Sequence, residues 1–201
     1  MNPSDVAELH FICLIEKIPS ILRLGILSHD LAQRLPRIAT PPVDDPLVQH
    51  RRENKNVPGA GPLHRFANLY FHARNPMMCR IQDRREELTV LRISPSVLRM
   101  PGVIIADGNA SSDYTAFYPA PDGLNRLDRD RVFARDWRVP GDKIEYWRRK
   151  SARCAEVLIP NKLPPTFIAG AYVSSAPAQN RLQVLAPTLP SRIDEDLFTI
   201  R

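Results

Sequence analysis

The chain has 201 residues, of which 43% are hydrophobic and 25% are charged, and we expect residues 1–201 to form a single folded domain with its own core. It has no run of 18 apolar residues, and its first residues lack the features of a signal peptide, so we expect a cytoplasmic protein without a membrane span. The excess of 28 basic over 22 acidic residues, a net charge of +6, favours a polyanionic partner such as nucleic acid or a phosphate-bearing cofactor.

The first predicted elements are a strand and a short helix. Residues 8–15, "ELHFICLI", are mostly apolar and predict the strand. A helix is predicted over 19–25, because proline is tolerated at a first helical position and Gly25 is suited to end the helix. The short extended piece "ILSHD" comes next.

Later strands are predicted where apolar and β-branched residues run together or alternate between turn signals. They lie at 67–73, 87–95, 102–108, 153–160 and 167–174, with a further candidate at 180–185. The remaining segments are expected to be loops, turns or short helices. These are irregular chain at 30–46, a helical turn at 46–56, a breaker at 57–62, a turn at 74–78, and helical pieces at 122–134 and 142–150.

The predicted strands and helices do not alternate strictly along the chain. This order favours an α+β domain with a mixed or split sheet over a doubly wound parallel sheet. The sequence contains neither a GxGxxG nor a GxxxxGK[ST] motif, so a bound nucleotide would be held by another device. Cys13, Cys79 and Cys154 lack the close spacing of a zinc site or a redox pair, and we expect no metal.

Three polar residues stand out within the predicted strands. Glu156 lies in "RCAEVLIPN", where both faces are otherwise apolar, and an unpaired buried carboxylate is costly. It is either a salt-bridged or edge-exposed glutamate or a catalytic one. His10 is either a core-edge histidine bonded to the backbone or a functional one, and Tyr70 is either a packing residue or a ligand contact.

A double arginine, Arg51 and Arg52, lies beside His50 and Lys55 in the predicted helical turn. Such a cluster is either a solvated patch or a phosphate clamp, because guanidinium groups match the geometry of phosphate oxygens.

Four segments, in order along the chain, resemble the DarT family of DNA ADP-ribosyltransferase toxins. "LHFICLIEKIPSILRLGILS" is similar to the family's first strand and helix, where a histidine precedes "N-L-x-x-I-L-x-x-G-I-L". "VQHRRENKNVPGAGPLHRFANLYFHARNPMM" resembles "R-R … V-P … L-H-D-Y-V-x-x-Y-F-x-P-R-x-P-M". "IIADGNASSDYTAFY" resembles a segment with "D-G-N-A" and "F-Y", and "RCAEVLIPNKLPPTFIAGAYV" resembles "Q-A-E-F-L-V" with the last strands. The resemblance covers roughly residues 8–175.

The resemblance implies the ADP-ribosyltransferase fold, a split and mostly antiparallel sheet with short helices around an NAD cleft. It implies that Glu156 is the catalytic glutamate and that Arg52 acts both in catalysis and in NAD binding. It further implies that His10 binds NAD and that Tyr70 packs against the nicotinamide end.

The implied activity is that of a toxin that moves ADP-ribose from NAD onto a base of single-stranded DNA, with thymidine as the first choice of target and guanosine as the second. The expected partner is a macrodomain antitoxin, and Arg51, Arg74 and Arg80 are expected to follow the DNA backbone. Two alternatives stay open. The same fold can act on RNA or protein, or the chain can be an inactive nucleic-acid-binding module that releases no nicotinamide.

The sequence departs from the family pattern at a few positions. Cys13 stands where a second histidine is common, "HAR" stands for "C-P-R", and Arg65 replaces the aspartate of "L-H-D-Y". These departures leave the four implied NAD and catalytic residues in place and bear on the choice of target base.

Overall fold

The computed structural model describes residues 1–35 and 46–200, which form strands and short helices in mixed order. The strands are β1 (Leu9–Leu14), β2 (Ile26–Leu27), β3 (Asn56–Val57), β4 (Gly61–Pro62), β5 (Phe66–Tyr70), β6 (Leu88–Ile93), β7 (Ile104–Ala106), β8 (Phe117–Pro119), β9 (Glu156–Pro160), β10 (Lys162–Leu163), β11 (Ile168–Val173) and β12 (Ser191–Ile193). The helices are α1 (Ile18–Leu24), α2 (His29–Gln33), α3 (Pro46–Glu53), α4 (Pro76–Ile81), α5 (Arg129–Val132), α6 (Lys143–Ala152), α7 (Ala176–Leu185) and α8 (Glu195–Phe198).

Eight of these strands form one sheet in the order β12-β11-β6-β1-β5-β9-β7-β8. Its neighbouring strands are antiparallel apart from the parallel pair β11–β12. β1 pairs with β6 along its whole length but with β5 only through His10 and Tyr70. The sheet is therefore split into two halves joined at one residue pair. The predicted α+β class with a split, mostly antiparallel sheet is confirmed.

Each face of the sheet carries its own hydrophobic core, because successive strand residues point to opposite faces. One core packs against α1 and α7, and its buried side chains include Leu9, Leu69, Leu91, Val157, Ile18, Ala178 and Leu182. The other packs against α4 and α8, and its buried side chains include Ile12, Leu14, Val90, Met78, Leu197 and Phe198. The split in the sheet thus lies between two packed layers that hold its walls in position.

Gly25 joins α1 to β2 in a conformation that requires glycine. Its φ is 89°, and a Cβ at this position would lie 2.2 Å from the carbonyl oxygen of Leu163. β2 pairs with β10, so this close approach holds α1 and β2 against the segment that follows β9. One wall of the split is fixed in this way.

Most predicted elements are confirmed, but the strand expected at 180–185 is wrong. These residues belong to α7, whose first turn is capped by Ser175, with Oγ accepting from the Ala178 amide at 3.3 Å. The buried residues Ala178 and Leu182 are four positions apart, which is the helical spacing. The apolar residues near Leu185 alone do not reveal this period.

Two segments that were expected to be irregular or turns contain helices. In 30–46, α2 begins at His29 and is capped by Ser28, whose Oγ accepts from the Leu31 amide at 3.3 Å, whereas residues 36–45 lie outside the described residues. In 74–78, α4 begins at Pro76 and is capped by Asn75, whose Oδ1 accepts from the Met78 amide at 3.0 Å. Both helices are too short to show apolar periodicity, so the capping side chain is their main sequence signal.

The C-terminal segment docks on the sheet, which the sequence did not indicate. β12 pairs with β11, and Leu197 and Phe198 of α8 are buried in the second core. The short edge strand β8 was also not predicted. Across the two described ranges, every helix falls short of the length and apolarity needed to span a bilayer.

Candidate active site

The split between the halves of the sheet forms a cleft of about 240 Å³. β1 and β5 diverge beyond the pair His10–Tyr70, and the cleft lies between residues 11–14 of β1 and residues 66–68 of β5. α1, β2 and α2 supply a mostly apolar wall, and α3 closes another side. The polar side chains that line it include Lys17, Ser20, Gln49, Arg52, His64 and Asn68. A mostly apolar cleft with a few convergent polar groups is typical of a ligand site.

Three of the predicted site residues lie in one row across the sheet. His10 of β1 is opposite Tyr70 of β5, and Tyr70 is opposite Glu156 of β9. Directly opposed residues of antiparallel strands share a face, and neighbouring strands are about 5 Å apart. His10 and Glu156 are therefore on the same face, roughly 10 Å apart, with Tyr70 between them.

Glu156 is buried, with 1% of its surface exposed, and its carboxylate is held from two sides. Oε1 accepts a hydrogen bond from the Ala110 amide at 2.9 Å. Arg52 donates from Nη1 to Oε2 at 3.1 Å and to Oε1 at 3.4 Å. Glu156 is thus ion-paired with Arg52, which lines the cleft, and its catalytic role stays a prediction.

The loop 107–116 positions the Ala110 amide. Asp107 Oδ1 accepts from the Ala116 amide at 2.9 Å, and Thr115 Oγ1 donates to the Asn109 carbonyl at 2.7 Å. Gly108 lies against α6, since a Cβ there would be 2.7 Å from Ser151 Oγ. The "D-G-N-A" segment therefore fixes one hydrogen bond to Glu156 through its backbone, a role that its side chains do not indicate.

α3 brings Arg52 to Glu156 and leaves Arg51 on its outer surface. Arg52 is 7% exposed, whereas Arg51 is exposed. Gln49, one turn before Arg52 on the same side of α3, accepts from His64 Nε2 at 3.2 Å. The two neighbouring arginines thus have different environments: Arg52 is in a buried ion pair, and Arg51 is solvated.

Tyr70 lines the cleft at the end of β5. Its hydroxyl donates to Met77 Sδ at 3.1 Å. Met77 is the second residue of α4, so this contact holds the phenol against the second core.

His10 is 5% exposed, and its two ring nitrogens both face acceptors within the protein. Nδ1 lies 3.3 Å from the Phe71 carbonyl oxygen and Nε2 lies 3.1 Å from Glu8 Oε1. The imidazole is therefore fixed in orientation, with its ring in the row of Tyr70 and Glu156.

Glu8 is the centre of a polar cluster that the sequence analysis missed. Its carboxylate also accepts from Arg92 Nε at 2.7 Å and from the Tyr172 hydroxyl at 2.8 Å. Burial alone would raise the pKa of the Glu8 carboxyl, but hydrogen bonds from His10, Arg92 and Tyr172 outweigh it and lower the pKa to about 2. The spacing of Glu8 and His10, two residues apart at the start of a strand, was the available signal.

The half-buried His72 and the buried Arg153 form a second polar group near His10. His72 Nδ1 accepts from the Arg74 amide at 3.0 Å and from Arg153 Nη2 at 3.2 Å. Burial and the adjacent Arg153 lower the pKa of His72 to about 3. Arg153 also donates to the carbonyls of Arg74 and Val132, and this ties the segment before β9 to the segment after β5.

The arginines predicted to follow DNA have different environments. Arg74 is 8% exposed, and its guanidinium donates to the carbonyls of Arg135, Asp196 and Thr199. These contacts are those of a residue that ties α8 to the domain, which is a correction to its expected role on a DNA-facing surface. Arg80, on α4, is exposed like Arg51.

Within the described residues, three potential metal ligands lie close together beside the cleft. The ligand atoms of His29, Asp30 and His64 are all within 4.8 Å of one another. The two imidazole rings, however, stack at 4.0 Å between centroids with an angle of 29°. In-plane lone pairs of nearly parallel rings do not converge on one point, so this arrangement favours a stacked pair over a metal centre.

Comparisons with known proteins place the chain in a family. The family model described as "ssDNA thymidine ADP-ribosyltransferase, DarT" matches residues 10–197. A curated protein of Thermosipho africanus, a "DNA ADP-ribosyl transferase-DNA ADP-ribosyl glycohydrolase fusion protein", is 30% identical over 183 residues. The match takes in 88% of this chain and 45% of that protein, so the chain spans about half the length of its curated relative.

Solved structures are similar over nearly the whole chain. Thermosipho africanus DarTG in complex with ADP-ribose has a TM-score of 0.82 at 27% identity, covering 96% of this chain and 51% of that one. Thermus sp. 2.9 DarT in complex with ADP-ribosylated ssDNA has a TM-score of 0.80 at 21% identity, covering 99% of both chains. The same Thermus protein in complex with NAD⁺ gives 0.79 at 20% identity, covering 99% of this chain and all of the other.

Proposed function

Because the chain belongs to the DarT family of ssDNA thymidine ADP-ribosyltransferases, we propose that it transfers ADP-ribose from NAD⁺ to thymidine in single-stranded DNA and releases nicotinamide. The observation that carries this proposal is the buried Glu156–Arg52 ion pair, which lies in the row of His10 and Tyr70 at the edge of the cleft. We further propose that residues 1–201 act as one catalytic domain.

Glu156 is proposed to stabilise the reacting ribose. Breaking the bond between ribose C1′ and the nicotinamide nitrogen passes through an oxocarbenium-like transition state, as in glycoside chemistry. A carboxylate that accepts a hydrogen bond from the ribose 2′-hydroxyl stabilises the developing positive charge. Glu156 projects from a strand in the sheet, and the Ala110 amide fixes its Oε1, so its orientation is set before the substrate binds.

Arg52 is proposed to exchange partners during the reaction. In the free protein it neutralises Glu156, with Nη1 shared between the two carboxylate oxygens. When the ribose takes over one carboxylate oxygen, the guanidinium is released to hold the diphosphate or to polarise the target base. Glu156 can then accept the N3 proton of thymine as the new bond to C1′ forms.

Tyr70 and His10 are proposed to hold the dinucleotide. The Tyr70 ring lines the cleft next to Glu156 and is suited to stack on nicotinamide. His10 is proposed to bind the ribose on the adenosine side. To donate to it, His10 must give up one of its two hydrogen bonds, and the longer one, 3.3 Å to the Phe71 carbonyl, is the weaker.

The DNA strand is proposed to contact exposed arginines near α3 and α4, namely Arg51 and Arg80. Phosphate contacts of this kind position a strand without reading its sequence. A base presented from single-stranded DNA also avoids the cost of unpairing. Arg74 is left out of this path, because its guanidinium is engaged with backbone carbonyls.

We also propose a toxin role, in the cytoplasm, that is held in check by a macrodomain antitoxin on the same or another polypeptide. The Thermosipho relative is named as a fusion of a DNA ADP-ribosyl transferase with a DNA ADP-ribosyl glycohydrolase. A hydrolase of that kind would remove the modification that this chain is proposed to add.

The experiment is incubation of the purified protein with NAD⁺ and single-stranded oligonucleotides that each lack one base, followed by mass spectrometry. The expected result is a gain of one ADP-ribosyl unit on every strand except the one without thymine. An adduct lost only without guanine would move the target to guanosine. RNA and protein acceptors form the next arm, and no adduct anywhere, with no nicotinamide released, would leave an inactive nucleic-acid-binding module.

A further inference from the structure

A lysine lines the end of the cleft that is remote from Glu156. Lys17 directly precedes α1, is half-buried and faces the cleft. Within β1, His10 belongs to the row that also contains Tyr70 and Glu156, and Leu14 is the last residue of the strand. These two residues are roughly 13 Å apart at 3.3 Å per residue, and Lys17 follows Leu14 by three residues. The two ends of the cleft are therefore about one strand length apart.

Lys17 has no hydrogen-bond or ion-pair partner among residues 1–35 and 46–200. The surrounding wall is largely apolar, with Leu14, Ile21 and Leu24 as lining residues. Arg52 also lines the cleft, but its guanidinium is paired with Glu156. Burial lowers the pKa of the Lys17 ammonium, and the neighbouring Glu16 opposes this only in part. An anion that binds beside a partly desolvated ammonium without a partner stabilises the charged form of that ammonium.

We propose that Lys17 binds a phosphate group of the dinucleotide substrate at the end of the cleft opposite Glu156. The proposal rests on the proposed function, which puts NAD⁺ in this cleft. Two phosphates are compatible with the ammonium: the diphosphate that every such dinucleotide carries, and the additional 2′-phosphate of NADP⁺. The Lys17 ammonium acts as a point charge and needs no fixed approach direction, so it can serve either.

The test compares Lys17→Asn and Lys17→Arg with the matched control Arg23→Asn. Arg23 is an exposed cation on α1, the helix that Lys17 precedes, and it is not part of the cleft lining. Steady-state nicotinamide release is measured with a thymidine-containing oligonucleotide, using NAD⁺ and NADP⁺ in turn. The expected result for Lys17→Asn is a KM raised about 10- to 100-fold with kcat within about twofold, the size typical of a lost hydrogen bond to a charged group. Lys17→Arg keeps most of the affinity, and Arg23→Asn behaves like the unmodified protein.

The two dinucleotides distinguish the two phosphates. Equal increases in KM for NAD⁺ and NADP⁺ assign Lys17 to the diphosphate, and an increase for NADP⁺ alone assigns it to the 2′-phosphate. Unchanged KM values for both, or the same change in Arg23→Asn, overturn the proposal.

A binding measurement separates this proposal from the proposed function. Calorimetry with ADP and with NADP⁺, and with adenosine as a phosphate-free control, is carried out on the unmodified protein and on Lys17→Asn. If the unmodified protein releases no nicotinamide, the proposed function fails, while weaker ADP binding by Lys17→Asn with unchanged adenosine binding still supports the phosphate site. Equal binding of ADP and of NADP⁺ by both proteins overturns it.

Discussion

Two carboxylates on the same face of the sheet, the half-buried Glu8 and the buried Glu156, are held in different ways. Glu8 is surrounded by three side chains from three strands or their ends, namely His10, Arg92 and Tyr172. Glu156 is held by one backbone amide and one guanidinium, which come from the 107–116 loop and from α3. The sheet therefore supplies the partners of Glu8, whereas segments outside the sheet supply those of Glu156.

This difference is consistent with a structural role for Glu8 and with the proposed catalytic role of Glu156. The donors around Glu8 are fixed by strand pairing, and exchanging any of them would require the sheet to shift. Arg52 can leave Glu156 by changing the position of α3 or of its own side chain, with the sheet unchanged. A ribose hydroxyl can then replace it as a hydrogen-bond donor, which a catalytic glutamate requires.

The largest effect is expected at Glu156. Glu156→Gln keeps the shape of the side chain but removes the charge that is proposed to stabilise the oxocarbenium ion. Nicotinamide release and DNA modification should fall at least about 10³-fold, and Glu156→Ala should be equally inactive. Rates are measured by mass spectrometry of the oligonucleotide, with circular dichroism as the control for folding. Transfer retained in a folded Glu156 variant would remove this residue from the catalytic role.

The loss of folding stability at acidic pH is expected to come mainly from His72 and Glu8. The pKa of His72 is lowered from 6.5 to about 3, so the folded protein binds fewer protons than the unfolded chain between these values. The contribution to stability is complete above about pH 6.5 and is lost as the pH falls towards 3. Glu8, with its pKa lowered to about 2, adds a loss of the same sign below about pH 4.5.

His72→Asn tests this pH dependence, because the Asn oxygen can still accept hydrogen bonds from Arg74 and Arg153 but does not titrate. For the unmodified protein, the free energy of unfolding in urea should fall by up to about 3 kcal/mol between pH 6.5 and pH 4. For the variant, the fall over the same range should be clearly smaller. Parallel pH curves for the two proteins would show that His72 is not the group that titrates.

A smaller effect is expected for Glu8→Gln. This variant should lower the stability and leave kcat nearly unchanged, whereas Glu156→Gln should lower the activity. The neutral amide loses the charge-assisted bonds to Arg92 and His10, so the free energy of unfolding should fall by about 2 kcal/mol. The value of kcat should stay within about threefold, since Glu8 is not proposed to touch the substrate. Urea denaturation and nicotinamide release measured on the same preparation give both numbers. A loss of kcat as large as that of Glu156→Gln would erase the distinction between the two carboxylates.

The sequence predicted the row of site residues but not what holds it. Strands around His10, Tyr70 and Glu156 are long and apolar enough to be recognised, and the family resemblance supplied the functional interpretation of the three residues. The partners of Glu156 depend on contacts between distant segments: Arg52 and Ala110 are separated from it by 104 and 46 residues. The contact from Ala110 is made by its backbone amide, which nearly every residue type has, so the sequence does not reveal it. Short elements such as α2, α4 and β12 were missed because caps and edge pairing, and not periodicity, define them.

The smallest effect is expected in the loop that supports Glu156. Thr115 Oγ1 donates to the Asn109 carbonyl at 2.7 Å, and this bond braces the residue next to Ala110. Thr115→Val removes the hydroxyl at nearly constant volume, which should cost about 1 kcal/mol of stability and leave the Ala110 amide less well fixed on Glu156 Oε1. Because that amide orients a group that is proposed to act in the transition state, kcat should fall a few-fold while the KM for NAD⁺ stays constant. Thr115→Ser keeps the hydroxyl and should retain kcat, so the pair measures the hydrogen bond alone. If Thr115→Val raised KM without changing kcat, the loop would act on dinucleotide binding, and the Glu156 carboxylate would owe its orientation to Arg52.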